Sequence, residues 1–211
     1  MSKNKFSWKL FQQAPIVGIA RNISLDAMKH ILPLYRAAGL TNVEITMNTP
    51  GAVEILRYAL ENEAEGLNIG VGTVCTKKEL MRALDAGAQF VVTPILNKKV
   101  INICVEKGVP IMPGAYTPTE IYKAWSLGAN VVKVFPATAL GPSFIKDLKG
   151  PMSQIKLLPT GGVSLDNMQE FLKAGAAGLG IGGQLFDQKL IDAENWDGLQ
   201  VHFGKFVSRL V

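Results

Sequence analysis

One lysine, Lys133, interrupts the apolar segment 131–135, and its residue type in that setting indicates a specific chemistry. A continuous valine-rich segment is typical of a buried strand of a parallel sheet. Burial of an ammonium group is unfavourable and lowers the pKa of the lysine. A lysine that is neutral near pH 7 is a nucleophile that forms a Schiff base with a carbonyl compound. The alternative is a lysine at a strand end that extends its charged group to water.

Two further polar residues occupy positions from which they could act together with Lys133. Apolar and polar residues alternate in segment 42–46, where Glu44 lies on the polar face, and Thr73 ends segment 69–73. Helices cover the outside of an α/β barrel, so the polar face of each strand must point to the interior. Near the C-terminal ends of their strands, these three residues converge where barrel enzymes carry out chemistry.

Short segments rich in Val, Ile and Gly alternate with amphipathic segments along the chain. The predicted strands are 15–21, 42–46, 68–74, 90–94, 110–115, 131–137, 156–162 and 178–183. The predicted helices are 24–38, 51–64, 76–86, 97–107, 118–127, 142–149, 165–174 and 188–209. Eight strand–helix units in 211 residues predict an α/β fold, a (β/α)8 TIM barrel, although a doubly wound sheet shows the same alternation. We expect one domain over residues 1–211, with residues 1–13 as an N-terminal helix or cap.

Two glycine clusters follow the last two predicted strands, and they predict a phosphate site. The first contains Gly161 and Gly162, and the second contains Gly182 and Gly183. In barrels, the loops after the last two strands often bind phosphate through backbone N–H groups. The second cluster also matches the dinucleotide motif G-x-G-x-x-G, but only one predicted helix follows it, so no βαβ unit can be completed. The alternative is that these glycines serve close packing of helices on strands.

Composition excludes several classes of function. The net charge of +5 is modest and its lysines are scattered, unlike the clustered basic stripe of a nucleic-acid-binding surface. No apolar segment reaches the roughly 18 residues of a membrane span. The N-terminal residues lack the apolar stretch of a signal peptide, so we expect a cytoplasmic protein. The two cysteines match no zinc spacing and the two histidines have no partner motif nearby, so we expect no such metal site.

Six segments resemble, in order and in spacing, the signatures of the 2-keto-3-deoxy-6-phosphogluconate (KDPG) aldolases. That family also includes the 4-hydroxy-2-oxoglutarate (KHG) aldolases. The segments are 44–46, 70–74, 92–94, 113–120, 133–137 and 159–162, and the similarity extends from about residue 14 to residue 187. The resemblance implies a class I aldolase, which forms an imine between lysine and substrate and needs no metal or other cofactor. It also implies a homotrimer.

The resemblance implies roles for individual residues. Lys133 matches the Schiff-base lysine of the family, Glu44 matches its general acid/base, and Thr73 matches a residue near the pyruvyl carboxylate. The other matches are Pro94 and Phe135 in the apolar lining around the imine, and Gly161, Gly162 and Gly183 in the phosphate-binding loops. We also expect Thr160 to contact the substrate and Gly182 to contact the phosphate.

Two positions depart from the family pattern and bear on the substrate. Asn48 stands where many members have an arginine that binds the substrate carboxylate, and asparagine lacks the charge and the fork of a guanidinium. Segment 44–50 instead resembles the relatives that act on the galactonate epimer, in which an arginine after the first strand is matched by Arg21. Gln184 stands where a serine beside the phosphate is common, and its amide can donate to phosphate with a different reach.

We therefore expect reversible cleavage of KDPG to pyruvate and glyceraldehyde 3-phosphate, with cleavage of KHG to pyruvate and glyoxylate as a second activity. The first alternative is an aldolase for the galactonate epimer with the same imine chemistry. Two alternatives from other classes are a phosphate-binding barrel isomerase or synthase and a catalytically inactive, ligand-binding barrel. The expected partners are a small phosphorylated keto acid, pyruvate and further copies of the chain, but neither nucleic acid nor a membrane.

Overall fold

The computed structural model describes residues 5–210, in which parallel strands alternate with helices. The strands are β1 (Ile16–Ala20), β2 (Asn42–Thr46), β3 (Asn68–Gly72), β4 (Val91–Val92), β5 (Ile111–Met112), β6 (Gly114–Ala115), β7 (Val132–Val134), β8 (Leu157–Pro159) and β9 (Leu179–Ile181). The helices are α1 (Trp8–Gln13), α2 (Leu25–Ala37), α3 (Ala52–Asn62), α4 (Lys77–Asp85), α5 (Lys98–Glu106), α6 (Pro118–Ser126), α7 (Gly141–Lys149), α8 (Met168–Lys173), α9 (Gln188–Asp192) and α10 (Trp196–Ser208). No helix in this part of the chain is long and apolar enough to cross a membrane.

Two predicted helices differ from the structure, and local backbone geometry explains both differences. The segment 188–209 was expected as one helix but forms α9 and α10, because Glu194 adopts a φ of 51° that ends the first helix. The helix expected from residue 165 begins only at Met168. Before it, the Ser164 N–H donates to the Asn167 side chain, which stabilises a turn in place of the first helical turn.

The strands pair in two parallel sheets, which together give an α/β fold with a curled sheet covered by helices. One sheet has the order β5-β4-β3-β2-β1-β9, and the other has the order β6-β7-β8. The predicted α/β class is confirmed, but the segment expected as one strand at 110–115 is divided between the two sheets. Pro113 lies at the division, where it has no N–H to donate to a neighbouring strand. A bridge between Thr160 and Gly180 connects the chain after β8 to β9.

The side chains of each strand separate into an outer and an inner set, as their alternation predicted. Val132 and Val134 belong to the large apolar core in which the helices pack on the sheets. Because successive side chains point to opposite faces, Lys133 points away from that core. A smaller inner cluster includes Phe90, Met112 and Phe11 of α1.

The helix α1 lies at the N-terminal end of the strands, where polar side chains also hold it. Phe11 packs into the inner cluster. The Asn68 side chain accepts the Ser7 N–H at 2.7 Å and donates to the Ser7 carbonyl at 2.9 Å. Asn68 also donates to Asn42 at 2.8 Å, so β2 and β3 anchor the chain ahead of α1. The expected N-terminal helix or cap over 1–13 includes this helix, and residues 1–4 of that expectation lie outside the described residues.

Candidate active site

Lys133 occupies the middle of β7, where it is nearly enclosed. It pairs with Gly114 of β6 and with Leu158 of β8, and only 4% of its surface is exposed. The Nζ atom lies 4.9 Å from the centroid of the Phe135 ring. Burial lowers the pKa of Lys133, the negative charge of Glu44 acts against this, and the positive charge of Arg21 adds to it.

Glu44 lies on β2, and its carboxyl group is buried without a hydrogen bond. It is 1% exposed, and neither carboxyl oxygen has a hydrogen-bond partner in the described part of the chain. Its register partner on β3 is Gly70, and a Cβ on Gly72, two residues further along that strand, would overlap the Glu44 carboxyl group. Burial raises the pKa of Glu44, whereas the charges of Lys133 and Arg21 lower it.

The environments of Lys133 and Glu44 suit them to act as a nucleophile and as a proton carrier. The lowered pKa increases the fraction of Lys133 that is a neutral amine able to attack a carbonyl carbon. The raised pKa increases the fraction of Glu44 that carries a proton. Among the described residues, its carboxyl oxygens have no hydrogen bond that would have to break before they contact a ligand. Buried polar groups are almost always hydrogen-bonded in folded proteins. The unpaired carboxyl group of Glu44 therefore leaves both of its oxygens available to a ligand.

Arg21, Asn48 and Thr73 meet beside this pair, at the C-terminal ends of β1, β2 and β3. The Arg21 Nη2 donates to the Thr73 hydroxyl at 3.2 Å, and its Nη1 donates to the Asn48 Oδ1 at a longer 3.5 Å. Thr73 has a φ of 59°, which is unfavourable for a β-branched residue and is typical of functional positions. The guanidinium provides the positive charge that a carboxylate ligand requires.

Pro94 and Phe135 contribute apolar surface to the same region. Pro94 follows β4, and a Cβ on Gly114 would overlap its backbone, so β6 approaches this residue closely. Phe135 is 36% exposed and follows β7 directly. Its ring lies against the Lys133 amine, so it limits access of water to that group.

The first glycine cluster forms a tight turn after β8. Gly161 and Gly162 have φ values of 91° and 73°, and a Cβ on Gly162 would lie only 2.9 Å from the Thr138 Cα. Thr160, which precedes them, is 3% exposed, and a Cβ on Gly180 would overlap its hydroxyl group. These contacts place the turn against the loop after β7, so the glycines are also required for packing.

The second glycine cluster follows β9 and is more open. The Gly182 carbonyl accepts the N–H groups of Leu185 and Phe186, and a Cβ on Gly183 would contact nothing within 4 Å. Gln184 is exposed, and its carbonyl lies 2.9 Å from the Nε2 of His202 on α10. The two clusters thus follow neighbouring strands, which is where the sequence analysis placed the phosphate site.

Sequence reasoning missed a set of hydroxyl contacts next to Arg21. The hydroxyl groups of Thr46 and Thr49 lie 2.8 Å apart, and the Thr49 hydroxyl accepts the Asn22 N–H at 3.0 Å. Two threonines three residues apart at the end of a strand are the signal that could have found the turn. The contact with Asn22 joins two separate loops, and nothing local in the sequence indicates it.

Among residues 5–210, no group of three or more His, Cys, Asp or Glu residues is placed to hold a metal ion. A nucleophilic lysine and a proton-carrying carboxyl group at the C-terminal ends of parallel strands can form and hydrolyse imines with carbonyl compounds.

Comparison with known proteins identifies the family. Residues 9–201 match the aldolase family described as KDPG and KHG aldolase, so the chain belongs to this family, as the sequence resemblance predicted. It is 39% identical over 180 residues to the 2-dehydro-3-deoxy-phosphogluconate aldolase of Haemophilus influenzae, covering 83% of this chain and 84% of that protein.

Two further relatives bear on substrate and mechanism. A 2-dehydro-3-deoxy-6-phosphogalactonate aldolase of Escherichia coli is 34% identical over 174 residues, covering 82% of this chain and 84% of that protein. A crystal structure of KDPG aldolase from Legionella pneumophila, with pyruvate captured as a covalent carbinolamine intermediate, superposes with a TM-score of 0.86 at 26% identity. That match covers 92% of this chain and 95% of the other.

Proposed function

We propose that this chain is a class I aldolase that reversibly cleaves KDPG to pyruvate and glyceraldehyde 3-phosphate through an imine on Lys133. The observation that carries the proposal is the buried Lys133 beside a Glu44 carboxyl group that has no hydrogen-bond partner among the described residues. The family and the gluconate-specific relative support the substrate class. The carbinolamine captured in the Legionella enzyme supports a covalent route.

In this reaction, the neutral Lys133 amine attacks the C2 carbonyl carbon of the keto acid. Glu44 transfers a proton to the resulting hydroxyl group, water leaves, and a protonated imine forms. Glu44 then accepts the proton of the C4 hydroxyl group while the electrons of the C3–C4 bond move into the imine. The aldehyde departs, Glu44 returns this proton to C3 of the enamine, and water hydrolyses the imine to release pyruvate and the free amine.

The other predicted residues hold the two ends of the substrate. Arg21 and Thr73 bind the carboxylate, with Asn48 beside them, because the guanidinium and a hydroxyl group already meet at that point. Pro94, Phe135 and Thr160 shape the cavity around the imine. The phosphate lies on the backbone of the two glycine loops, formed by Gly161, Gly162, Gly182, Gly183 and Gln184.

A second candidate substrate, the galactonate epimer, is favoured by one observation. Arg21, and not residue 48, provides the guanidinium at this site, as in the galactonate-type pattern, and Arg21 contacts Asn48. The galactonate-specific relative supports this candidate. Measuring kcat/KM for the two epimeric 6-phosphates and for KHG with the same preparation separates the three activities. Comparable kcat/KM for KHG would extend the proposal to the second predicted activity.

Trapping of the imine tests the whole proposal. Incubation with pyruvate and borohydride should reduce the imine to a stable adduct, which mass spectrometry of peptides locates on Lys133. Absence of an adduct would favour a phosphate-binding isomerase or synthase in which Lys133 only stabilises an anion. Absence of both an adduct and pyruvate release from any of the three substrates would favour an inactive ligand-binding barrel.

We further infer that residues 1–211 form one domain whose strands close into a (β/α)8 barrel. Two observations support closure. The Thr160–Gly180 bridge connects the two sheets beside β8 and β9, and at the other junction only Pro113 separates β5 of one sheet from β6 of the other.

We also propose a cytoplasmic homotrimer. The apolar side chains Ile95 and Tyr116 are 49% and 40% exposed, which supports contact with another copy. Light scattering of the purified protein measures its oligomeric mass.

A further inference from the structure

A buried pair of hydroxyl groups lies at the end of β2, next to the proposed carboxylate site. Thr46 is 0% exposed and Thr49 is 6% exposed, and their hydroxyl oxygens lie 2.8 Å apart. The Thr49 N–H also donates to the Thr46 carbonyl at 2.9 Å, so both backbone and side chains fix this turn. Its conformation is therefore determined by contacts that are sheltered from water.

The same Thr49 hydroxyl holds a second loop, which carries Arg21. It accepts the N–H of Asn22 at 3.0 Å. Asn22 has a φ of 55°, a left-handed conformation that is uncommon for residues other than glycine and needs a contact to maintain it. Because Asn22 directly follows Arg21, the Thr49 hydroxyl sets the direction in which the Arg21 side chain leaves the backbone.

The direction of Arg21 matters because its side chain is itself exposed. Its guanidinium reaches Thr73 at 3.2 Å and Asn48 at 3.5 Å, and its charge influences both Lys133 and Glu44. An exposed arginine samples many rotamers unless its backbone and its contacts restrict it. Asn48 is also the residue that precedes Thr49, so one turn positions both groups around the proposed carboxylate.

We propose that Thr49 is a positioning residue for carboxylate binding, which acts through the Asn22 N–H to orient Arg21. This inference rests on the proposed aldolase function and goes beyond it, because it assigns carboxylate affinity to a buried hydroxyl group that does not reach the substrate. Loss of the hydroxyl should weaken the affinity for the keto-acid carboxylate, while imine formation at saturating ligand is retained.

The test compares Thr49→Val with Thr49→Ser in the synthesis direction, with pyruvate and glyceraldehyde 3-phosphate as substrates. Valine keeps the volume but leaves the Asn22 N–H without its acceptor, and we expect the KM for pyruvate to rise about tenfold with kcat within about twofold. The KM for glyceraldehyde 3-phosphate should not change, because its phosphate binds elsewhere. Serine keeps the acceptor oxygen and should restore the wild-type KM.

Two controls distinguish this role from a general loss of stability. Thr41→Val removes another buried threonine hydroxyl, which donates to the Leu10 carbonyl at 2.7 Å near α1, and it should lower Tm without changing either KM. Combining Thr49→Val with Arg21→Ala tests the route of the effect. If Thr49 acts through Arg21, the double variant should show the same KM for pyruvate as Arg21→Ala alone.

The outcomes separate this inference from the proposed function. An unchanged KM for pyruvate in Thr49→Val, an equal rise in both KM values, or an effect that adds fully to that of Arg21→Ala would each overturn the positioning role. In those cases the borohydride adduct of the wild-type protein would still support the aldolase. A wild-type protein that forms no adduct with pyruvate would overturn both.

Discussion

The two ends of the candidate site are built in opposite ways. At the imine end, Lys133 and Glu44 project from the strands β7 and β2 and are 4% and 1% exposed. At the proposed phosphate-binding end, called the phosphate end below, the glycines Gly162 and Gly183 lie in loops and are exposed. The first end depends on burial that changes the pKa of side chains. The second depends on glycines, whose lack of a side chain leaves the backbone accessible. Substitutions should therefore affect chemistry at one end and affinity at the other.

The largest effect is expected from removal of the nucleophile. Lys133→Ala should lower kcat by about 10⁴-fold or more, since no other group at the imine end can form the covalent intermediate. Steady-state assays of pyruvate release and borohydride trapping measure this change. Lys156→Ala is a matched control, because Lys156 is exposed and lies near Trp8 at the opposite end. Appreciable activity in Lys133→Ala would place the nucleophile elsewhere.

Replacement of the carboxyl group should separate imine formation from proton transfer. Glu44→Gln keeps the shape of the side chain but cannot accept a proton, so we expect kcat to fall by about 10²- to 10⁴-fold. Because Lys133 is intact, prolonged incubation with pyruvate and borohydride should still yield the adduct. Wild-type turnover in this variant would assign the proton transfers to another group. Burial of Glu44 would then not contribute to the chemistry at the imine end.

A substitution in the glycine loops should change affinity for the phosphorylated substrate and leave the chemistry intact. In Gly162→Ala, the new Cβ would lie 2.9 Å from the Thr138 Cα at a φ of 73°, so the loop must move. We expect the KM for glyceraldehyde 3-phosphate to rise about tenfold, as for loss of a hydrogen bond to a charged group. The KM for pyruvate should be unchanged.

Gly183→Ala is the control for this loop substitution, because a Cβ there meets nothing within 4 Å. It should have a smaller effect on the same KM. A larger effect on kcat than on KM for Gly162→Ala would mean that the two ends are not separable in this protein.

The smallest effect concerns stability and its dependence on pH. Burial raises the pKa of Glu44 above its ordinary value of 4.5, so the stability that its neutral form contributes is complete below that ordinary value and is lost as pH rises through the folded-state pKa. Glu44→Gln removes this loss. The Tm of the variant should therefore rise relative to that of the wild type as pH increases above 4.5, as measured by calorimetry.

A difference in Tm that is constant over this range would contradict the raised pKa. Gly162→Ala adds no titratable group to the phosphate end. Its Tm should follow that of the wild type with a constant offset.

The two ends also differ in how far the sequence could predict them. The alternation of polar and apolar residues is local, so it predicted that Glu44 and Lys133 point away from the helices, and the large core formed by their neighbours agrees with this. The contact between Thr49 and Asn22 depends on how two separate loops pack, and no pattern within either loop predicted it. The break between α9 and α10 arises from one backbone angle at Glu194, which a glutamate does not signal.

The helix α1 at the N-terminal end of the strands has a consequence for the order of events in turnover. Phe11 and the inner cluster fill the space beneath the strands, so ligands reach Lys133 from the opposite side, where the loops lie. In the proposed reaction, the pyruvyl part of the substrate would be bonded to Lys133 and lie deepest, and the aldehyde would extend toward the loops. The aldehyde should therefore leave first and pyruvate second, and in the reverse direction pyruvate should bind before the aldehyde.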